Sequence, residues 1–487
     1  MNQYDSQVAR GLLEAEGYQV VSEDEENQTL KGADSQIAGN LGAPGVDVVL
    51  MNTCSVREHA EDRVYGRLGM LGKEKKSHPN LVIGLMGCMV EEHKEKLFKR
   101  FPQLDFMVGT RNIKEIPALI EEVWHYRKQV ARIKQDGLSI EYTEFIKRTS
   151  PFHAWLPIMT GCDKVCTFCI VPITRGSEVS MPAREVYREA SRLAGEGVKW
   201  ITLLGQNVNS YHGETLSAGA PEHQSTRKLT GDGCAGAPVT FPKLLDMLCQ
   251  IEGLEMISFT TSHPHDATEE LFQVIAKNPK ISRRFHLPLQ SGSDRVLKRM
   301  KRLHTYQAYK AKIDRLRMLV PDIAITSDII TGFPGETERD HEATVNALKE
   351  IRFDGAYIYK YSVRPGTPAA KLGDDIPRSV KAIRLRELLN LQSQITEKIH
   401  RSWIGNSARV FIEELNPKNS LQLKGRLSQD KKVVFEGSPQ WVGSFREIEI
   451  TGLHHETFLG KEKRLETGLG GVGVDLTSPP QTAWKNR

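Results

Sequence analysis

The 487-residue chain lacks an uncharged apolar run of about 20 residues, the length that crosses a bilayer, and no basic-then-apolar leader follows Met1. A cytoplasmic protein is expected. Charge of one sign is scarce: the formal net charge is +5, which permits an acidic partner such as RNA without arguing for one. Cysteine is sparse too. Seven cysteines, an odd number with no secretion signal, speak against a disulfide framework and for reduced thiols serving metal chemistry. What remains, 39% hydrophobic and 26% charged residues, is ordinary for a globular protein, and at roughly 150 residues per domain the length predicts about three domains.

Three of the seven cysteines are crowded together. Cys162, Cys166 and Cys169 lie in Gly161-Cys162-Asp163-Lys164-Val165-Cys166-Thr167-Phe168-Cys169, just after the apolar segment 154–159. Three thiolates on one tight loop can hold three irons of a cubane iron-sulfur cluster and leave the fourth iron open to a small molecule. Structural zinc is the alternative, but it needs a fourth ligand, and His153, the one close candidate, precedes the loop by a whole strand. The segment resembles the radical S-adenosylmethionine enzymes. In that family the open iron of a 4Fe-4S cluster chelates S-adenosylmethionine, and an electron from the cluster cleaves it to a 5'-deoxyadenosyl radical.

The periodicities divide the chain into an α/β amino-terminal region with a small parallel sheet (1–125), a charged linker (126–150), a longer α/β alternation (151–400), a small antiparallel β-barrel (401–465) and a tail expected to be disordered (466–487). Strands are predicted over 46–50, 81–85 and 106–108, with helices over 58–71, 91–100 and 113–124. The second alternation predicts strands over 154–159, 200–204, 256–260, 285–289, 323–330 and 356–361, six strand-helix units that suggest a partial barrel open on one side. Residues 211–241, rich in Gly, Ser, Thr and Pro, read as a flexible surface insertion, with Cys234 an incidental thiol; Cys249 reads as a core residue.

Several predicted strand ends of the partial barrel carry polar groups: Gln206 and Asn207 in one, Ser262 in a second, Gln290 and Ser291 in a third, with Asp328 inside a fourth strand. Singly each fits a turn or helix cap; jointly, beside the cysteine loop, they favour a cofactor pocket. Arg175 and Arg364 are candidates for substrate or carboxylate contacts, with a solvent-facing arginine as the competing reading. Cys54 and Cys88 read as free buried cysteines or, since both lie at strand-to-helix junctions of one sheet, as half of a second metal site. Between Arg401 and Arg464, 11 Lys and Arg face 8 Asp and Glu, a surplus compatible with a solvated face or with RNA backbone contact.

Together these residues resemble one family, the methylthiotransferases, and within it the tRNA enzymes that add a methylthio group to C2 of N6-isopentenyladenosine beside the anticodon. The carriers are Met1-Asn2-Gln3-Tyr4-Asp5-Ser6, Asn52-Thr53-Cys54-Ser55-Val56-Arg57-Glu58, Gly87-Cys88-Met89, the Cys162 loop, Leu204-Gly205-Gln206-Asn207-Val208-Asn209-Ser210-Tyr211 and His286-Leu287-Pro288-Leu289-Gln290-Ser291-Gly292. The resemblance implies S-adenosylmethionine, a second, auxiliary 4Fe-4S cluster on Cys54 and Cys88, a last domain that looks like a TRAM module gripping tRNA, an electron donor such as flavodoxin or ferredoxin, and a monomer without a membrane partner. In the family a third auxiliary cysteine lies just upstream of the segment that here begins at Met1, so an upstream start is expected, with Cys234 a lesser candidate for the third thiolate. A related enzyme that methylthiolates an aspartate of a ribosomal protein, and an RNA-binding protein incompetent for sulfur insertion, are the alternatives.

Overall fold

The computed structural model describes residues 1–21, 46–53, 58–133, 142, 145–214 and 238–463. Cys54, Cys234, most of the expected insertion and the tail after 463 lie outside the described residues. Helix α1 (Asn2–Ala15) leads to β1 (Val48–Thr53), α2 (Glu58–Ser77), β2 (Val82–Gly87), α3 (Cys88–His93), α4 (Lys96–Arg100), β3 (Phe106–Val108), α5 (Ile116–Tyr126) and β4 (Val130–Arg132). The four strands form one parallel sheet in the order β1-β2-β3-β4. Every residue of β2 is buried, as a parallel strand covered on both faces requires.

Two expectations for this region are corrected. The helix predicted over 91–100 is two helices, separated at Lys94, whose left-handed φ of 47° ends the first. The stretch read as linker contains β4, which pairs in parallel with β3 through Phe106 and Val130. Its three residues, one an arginine, are too few to show a period; the sheet edge beside them dictates the strand.

The central region runs β5 (His153–Pro157), α6 (Val171–Thr174), α7 (Ala183–Gly195), β6 (Trp200–Leu204), α8 (Phe241–Cys249), β7 (Met256–Phe259), α9 (Glu269–Lys277), β8 (Arg284–His286), α10 (Asp294–Arg299), α11 (Tyr306–Leu319), β9 (Ala324–Thr331), α12 (Glu338–Ile351), β10 (Gly355–Lys360) and α13 (Arg378–Arg401). Two three-stranded parallel sheets, β5-β6-β7 and β8-β9-β10, are joined by a single parallel bridge between Ile257 and Ile281. This is the six-unit half-barrel the periodicity predicts. Its helices start where sequence chemistry says they should: the hydroxyls of Thr268, Ser293, Thr305 and Thr337 each accept an N–H three residues on, and Thr337 with Asp340 completes a capping box. Strand β8 is shorter than predicted because Pro288 has no N–H to continue the ladder.

The last region, β11 (Ser407–Leu415), β12 (Gln422–Leu427), β13 (Lys432–Glu436), β14 (Phe445–His454) and β15 (Thr457–Glu462), closes into a barrel in the order β11-β12-β13-β15-β14. The expectation of a wholly antiparallel barrel is corrected at one seam: β13 and β15 run parallel. A ring with an odd number of strands cannot alternate direction all the way round, so one parallel pair is obligatory.

This small barrel docks on the amino-terminal ends of the half-barrel strands. Trp200, Met256 and Phe411 form a shared apolar cluster, Arg284 pairs with Asp430 at 2.6 Å and Lys431 with Asp354 at 3.0 Å. The carboxyl ends of the half-barrel strands are left for a site, and there α1 packs Tyr4 and Val8 against Leu204 and Trp155.

Candidate active site at the carboxyl end of the half-barrel

The cysteine loop follows β5 and is held from three sides. Gly161, at a φ of +76°, donates its N–H to Gln206 Oε1 at 2.6 Å, and a Cβ here would meet Ser177 O at 1.9 Å, so only glycine fits. Cys162 N–H donates to Gly176 O at 3.2 Å. Thr167 donates its N–H to Met300 O at 3.0 Å and its hydroxyl to Arg299 O at 3.1 Å, tying the loop to the end of α10.

This folding brings the three thiols together. Burial pushes the Cys162 thiol up to about 11, and each of the other cysteines adds to the rise at Cys169, which burial takes to about 12. Three mutually repelling thiols in a partly dry pocket are poor free nucleophiles but good ligands, because a polycation neutralises the charges that burial and proximity penalise. His153 is excluded as a fourth metal ligand: it begins β5, and its Nε2 lies 2.8 Å from Thr202 Oγ1 and its ring against Trp200 at the opposite end of the barrel.

The strand-end residues surround the loop in distinct ways. Asn207 donates from Nδ2 to Asp266 at 2.7 Å, and Lys164 of the cysteine loop pairs with the same carboxylate at 2.8 Å. Burial pushes the Asp266 carboxyl up, but hydrogen bonds from His265, Lys164 and Asn207 outweigh it and hold it below the usual range. Asn207 Oδ1, Ser262 Oγ, Gln290 Oε1 and Thr160 Oγ1 are buried and find no partner among the described residues. Such atoms are costly unless a polar molecule satisfies them. Gln290 itself has a left-handed φ of 74°, as does Thr261 at 66° before Ser262, backbone strain of the kind that collects at working sites. Ser291 is different: its hydroxyl faces Thr344 and accepts from Ser293 N–H, so it builds a turn. Asp328 is 3.3 Å from His286 Nε2, whose Nδ1 lies 3.0 Å from Thr326 Oγ1, within the barrel lumen.

Arg175 and Arg364 occupy buried ion pairs with the amino-terminal region instead of solvent-facing positions. Arg175 binds Asp5 at 2.8 Å, with side chains only 4% and 5% exposed, and reaches the Cys88 thiol as well. Arg364 binds Glu61 at 2.6 Å, and its Nη2 is buried without a partner among the described residues. Cys88 opens α3 and is buried. The residues that precede the two outlying cysteines, Thr53 and Gly87, are register partners in adjacent parallel strands.

Sequence reasoning passed over His263 and Arg302. His263 Nε2 lies 3.8 Å from Cys166 Sγ, and Arg302 Nη1 donates to that sulfur at 3.3 Å. His263 belonged to a strand-end segment already singled out; Arg302 closes Lys298-Arg299-Met300-Lys301-Arg302, a basic run indistinguishable from a solvated face.

The model of the Radical SAM superfamily matches residues 156–348, and that of the uncharacterized protein family UPF0004 matches residues 35–109. Curated relatives include the tRNA-2-methylthio-N(6)-dimethylallyladenosine synthases of Dictyoglomus thermophilum, 41% identical over 93% of both chains, and of Pelotomaculum thermopropionicum, 39% identical over 93% of both. Among solved structures, the radical S-adenosylmethionine methyltransferase TsrM of Kitasatospora setae shares the fold, with a TM-score of 0.52 at 14% identity over 75% of this chain and 72% of that one. A half-barrel with three thiols on the loop after its first strand is thus that of a radical S-adenosylmethionine enzyme. Within that superfamily the chain belongs to the tRNA-2-methylthio-N(6)-dimethylallyladenosine synthase family.

Proposed function

We propose that this chain transfers a methylthio group to C2 of N6-isopentenyladenosine in tRNA, beside the anticodon. The observation that carries the reading is the coincidence of near-complete coverage by relatives of that activity with a half-buried three-thiol loop ringed by polar atoms unpartnered among the described residues. Cys162, Cys166 and Cys169 would hold a 4Fe-4S cluster, and Asn207 and Gln290, accepting at their amide oxygens, and Ser262, through its hydroxyl, would hydrogen-bond S-adenosylmethionine. Bound there, the cluster and S-adenosylmethionine supply a 5'-deoxyadenosyl radical able to remove hydrogen from an unactivated carbon, which polar acid-base chemistry does not open. Gln206 and Thr167 hold the loop in place. Asp328 and His286 face the lumen, where hydrogen bonds to the substrate base belong, and Ser291 supports the turn beneath them.

Cys88, with Cys54, is assigned to an auxiliary cluster on the amino-terminal side. The fit is supported by the matched register of Thr53 and Gly87 and by the buried Arg175 guanidinium beside Cys88, a cation placed where a cluster's negative charge would lie. Arg175 and Arg364 serve this arrangement by joining the two halves of the site. The small barrel, 401–463, is assigned as a TRAM-like tRNA-binding module, and a flavodoxin- or ferredoxin-type protein as electron donor to the monomer.

The test is direct: anaerobically reconstituted protein, S-adenosylmethionine, a low-potential reductant and tRNA carrying N6-isopentenyladenosine, followed by nucleoside mass spectrometry. Appearance of the 2-methylthio nucleoside is expected. Release of 5'-deoxyadenosine with the nucleoside left unmodified would sink the substrate assignment while sparing the radical chemistry.

A further inference from the structure

The three cysteines of the loop are not equivalent. The hydrogen bonds offered to Cys162 and Cys169 come from backbone N–H groups, those of Lys164 and Val171. Cys166 instead faces two side chains. Arg302 Nη1 donates to its sulfur at 3.3 Å, while Nη2 of the same guanidinium is fixed on Pro288 O at 2.9 Å. His263 accepts the His265 N–H at its Nδ1, 3.1 Å away, which leaves Nε2 as the protonated nitrogen, and that nitrogen points at the Cys166 sulfur from 3.8 Å. Arg302 is 8% exposed, so its charge acts through little water.

The backbone is shaped to deliver this guanidinium. Lys301, immediately before it, has a left-handed φ of 52°, and the carbonyls of Arg299 and Met300 hold Thr167, next to Cys166, so the cysteine loop and Arg302 are parts of one hydrogen-bonded unit. Among the described residues no carboxylate pairs with Arg302: its Nη1 and Nη2 go to the Cys166 sulfur and Pro288 O, and its Nε is buried without a partner. A buried cation aimed at a single ligand atom is an expensive arrangement for packing alone.

We propose that Arg302, supported by His263, is a positioning residue that polarises the Cys166 thiolate and sets the reduction potential of the cluster held by the three-cysteine loop. The inference rests on the cluster reading above. A hydrogen bond and a fixed positive charge at a ligand sulfur favour the form carrying one more electron, so they raise the potential. The electron comes from a low-potential one-electron reductant, and no bond to Arg302 is made or broken.

The experiment uses the full chain in a Cys54→Ala/Cys88→Ala background, so that only the loop binds iron, with the midpoint potential read by electron paramagnetic resonance. Native Arg302 with about four irons per chain is the reference. Arg302→Gln is expected to keep its iron and sulfide but to reduce at a more negative potential; Arg302→Lys, which keeps charge without the fork, is expected to fall between. An Arg302→Gln protein with full iron and an unmoved potential would overturn the proposal. Should Arg302→Gln fail to load iron, the decisive measurement is on the reference protein labelled with 15N-arginine: its reduced cluster, without S-adenosylmethionine, should show a 15N hyperfine coupling that Arg302→Lys abolishes, and absence of that coupling refutes the contact. A reference protein without iron would refute the cluster reading itself.

Discussion

Asp5 and Arg175 are 170 residues apart in sequence and bury an ion pair between the first helix and the cysteine loop's own continuation. Asp5→Asn leaves the guanidinium uncompensated, and a loss of about 3–5 kcal/mol is expected, read as a lowered denaturant midpoint. Asp5→Leu with Arg175→Met should recover much of it, because two apolar groups need no compensation. Cysteines separate equally cleanly. Cys166→Ala should remove about four irons per chain, whereas Cys249→Ala, in the apolar core under α8, should leave iron content unchanged. The three-cysteine loop and the polar strand ends were legible because their signal is local. Arg302 was not, since it meets Cys166 across 136 residues of chain and carries no local pattern; His263 stood in one of those strand ends, but its approach to Cys166, 97 residues away, was not readable. Arg175 and Arg364 were singled out as candidate ligands of a substrate because an arginine's partner cannot be read from its neighbours.

Among the elements, those with a clear period were legible in advance: β6 over 200–204 lies where periodicity puts it, and the helix predicted over 113–124 is α5, Ile116–Tyr126. Strands β4 and β15 were missed, the first because three residues show no alternation and the second because its closing role in the barrel depends on β13, far from it in sequence. Gly161 shows how an element can govern chemistry without touching it. Gly161→Ala would drive its Cβ into the Ser177 carbonyl and force a left-handed φ on alanine. Iron content is expected to fall although every ligand remains, and colorimetric iron and sulfide analysis checks it.

For the whole molecule, the order of the three regions was readable from composition and period, but the end of the half-barrel on which each neighbour docks was not, because that is set by matching surfaces. The small barrel's docking is expected to weaken in acid. Burial holds His153 and His400 down to about 4, against an ordinary value of 6.5. Both are neutral when folded and take up protons more readily unfolded. The stability they support is therefore complete above about pH 6.5 and lost progressively as pH falls towards 4. Denaturant midpoints across that window should drop, and His153→Gln/His400→Gln should flatten the slope. On the exposed face of the same barrel, Lys432→Glu and Arg446→Glu should weaken tRNA binding and shallow its salt dependence, measured by filter binding at several ionic strengths.

The Arg175 guanidinium, shared between Asp5 and Cys88 and lying six residues beyond Cys169, also restricts choreography. Carrier proteins commonly ferry a group on a tethered arm between distant stations. Here the two sulfur-bearing segments are riveted to one another by a buried charge, and separating them would strand that charge in a dry interior. Any group handed from one segment to the other would cross a gap whose width the Asp5–Arg175 pair helps to fix.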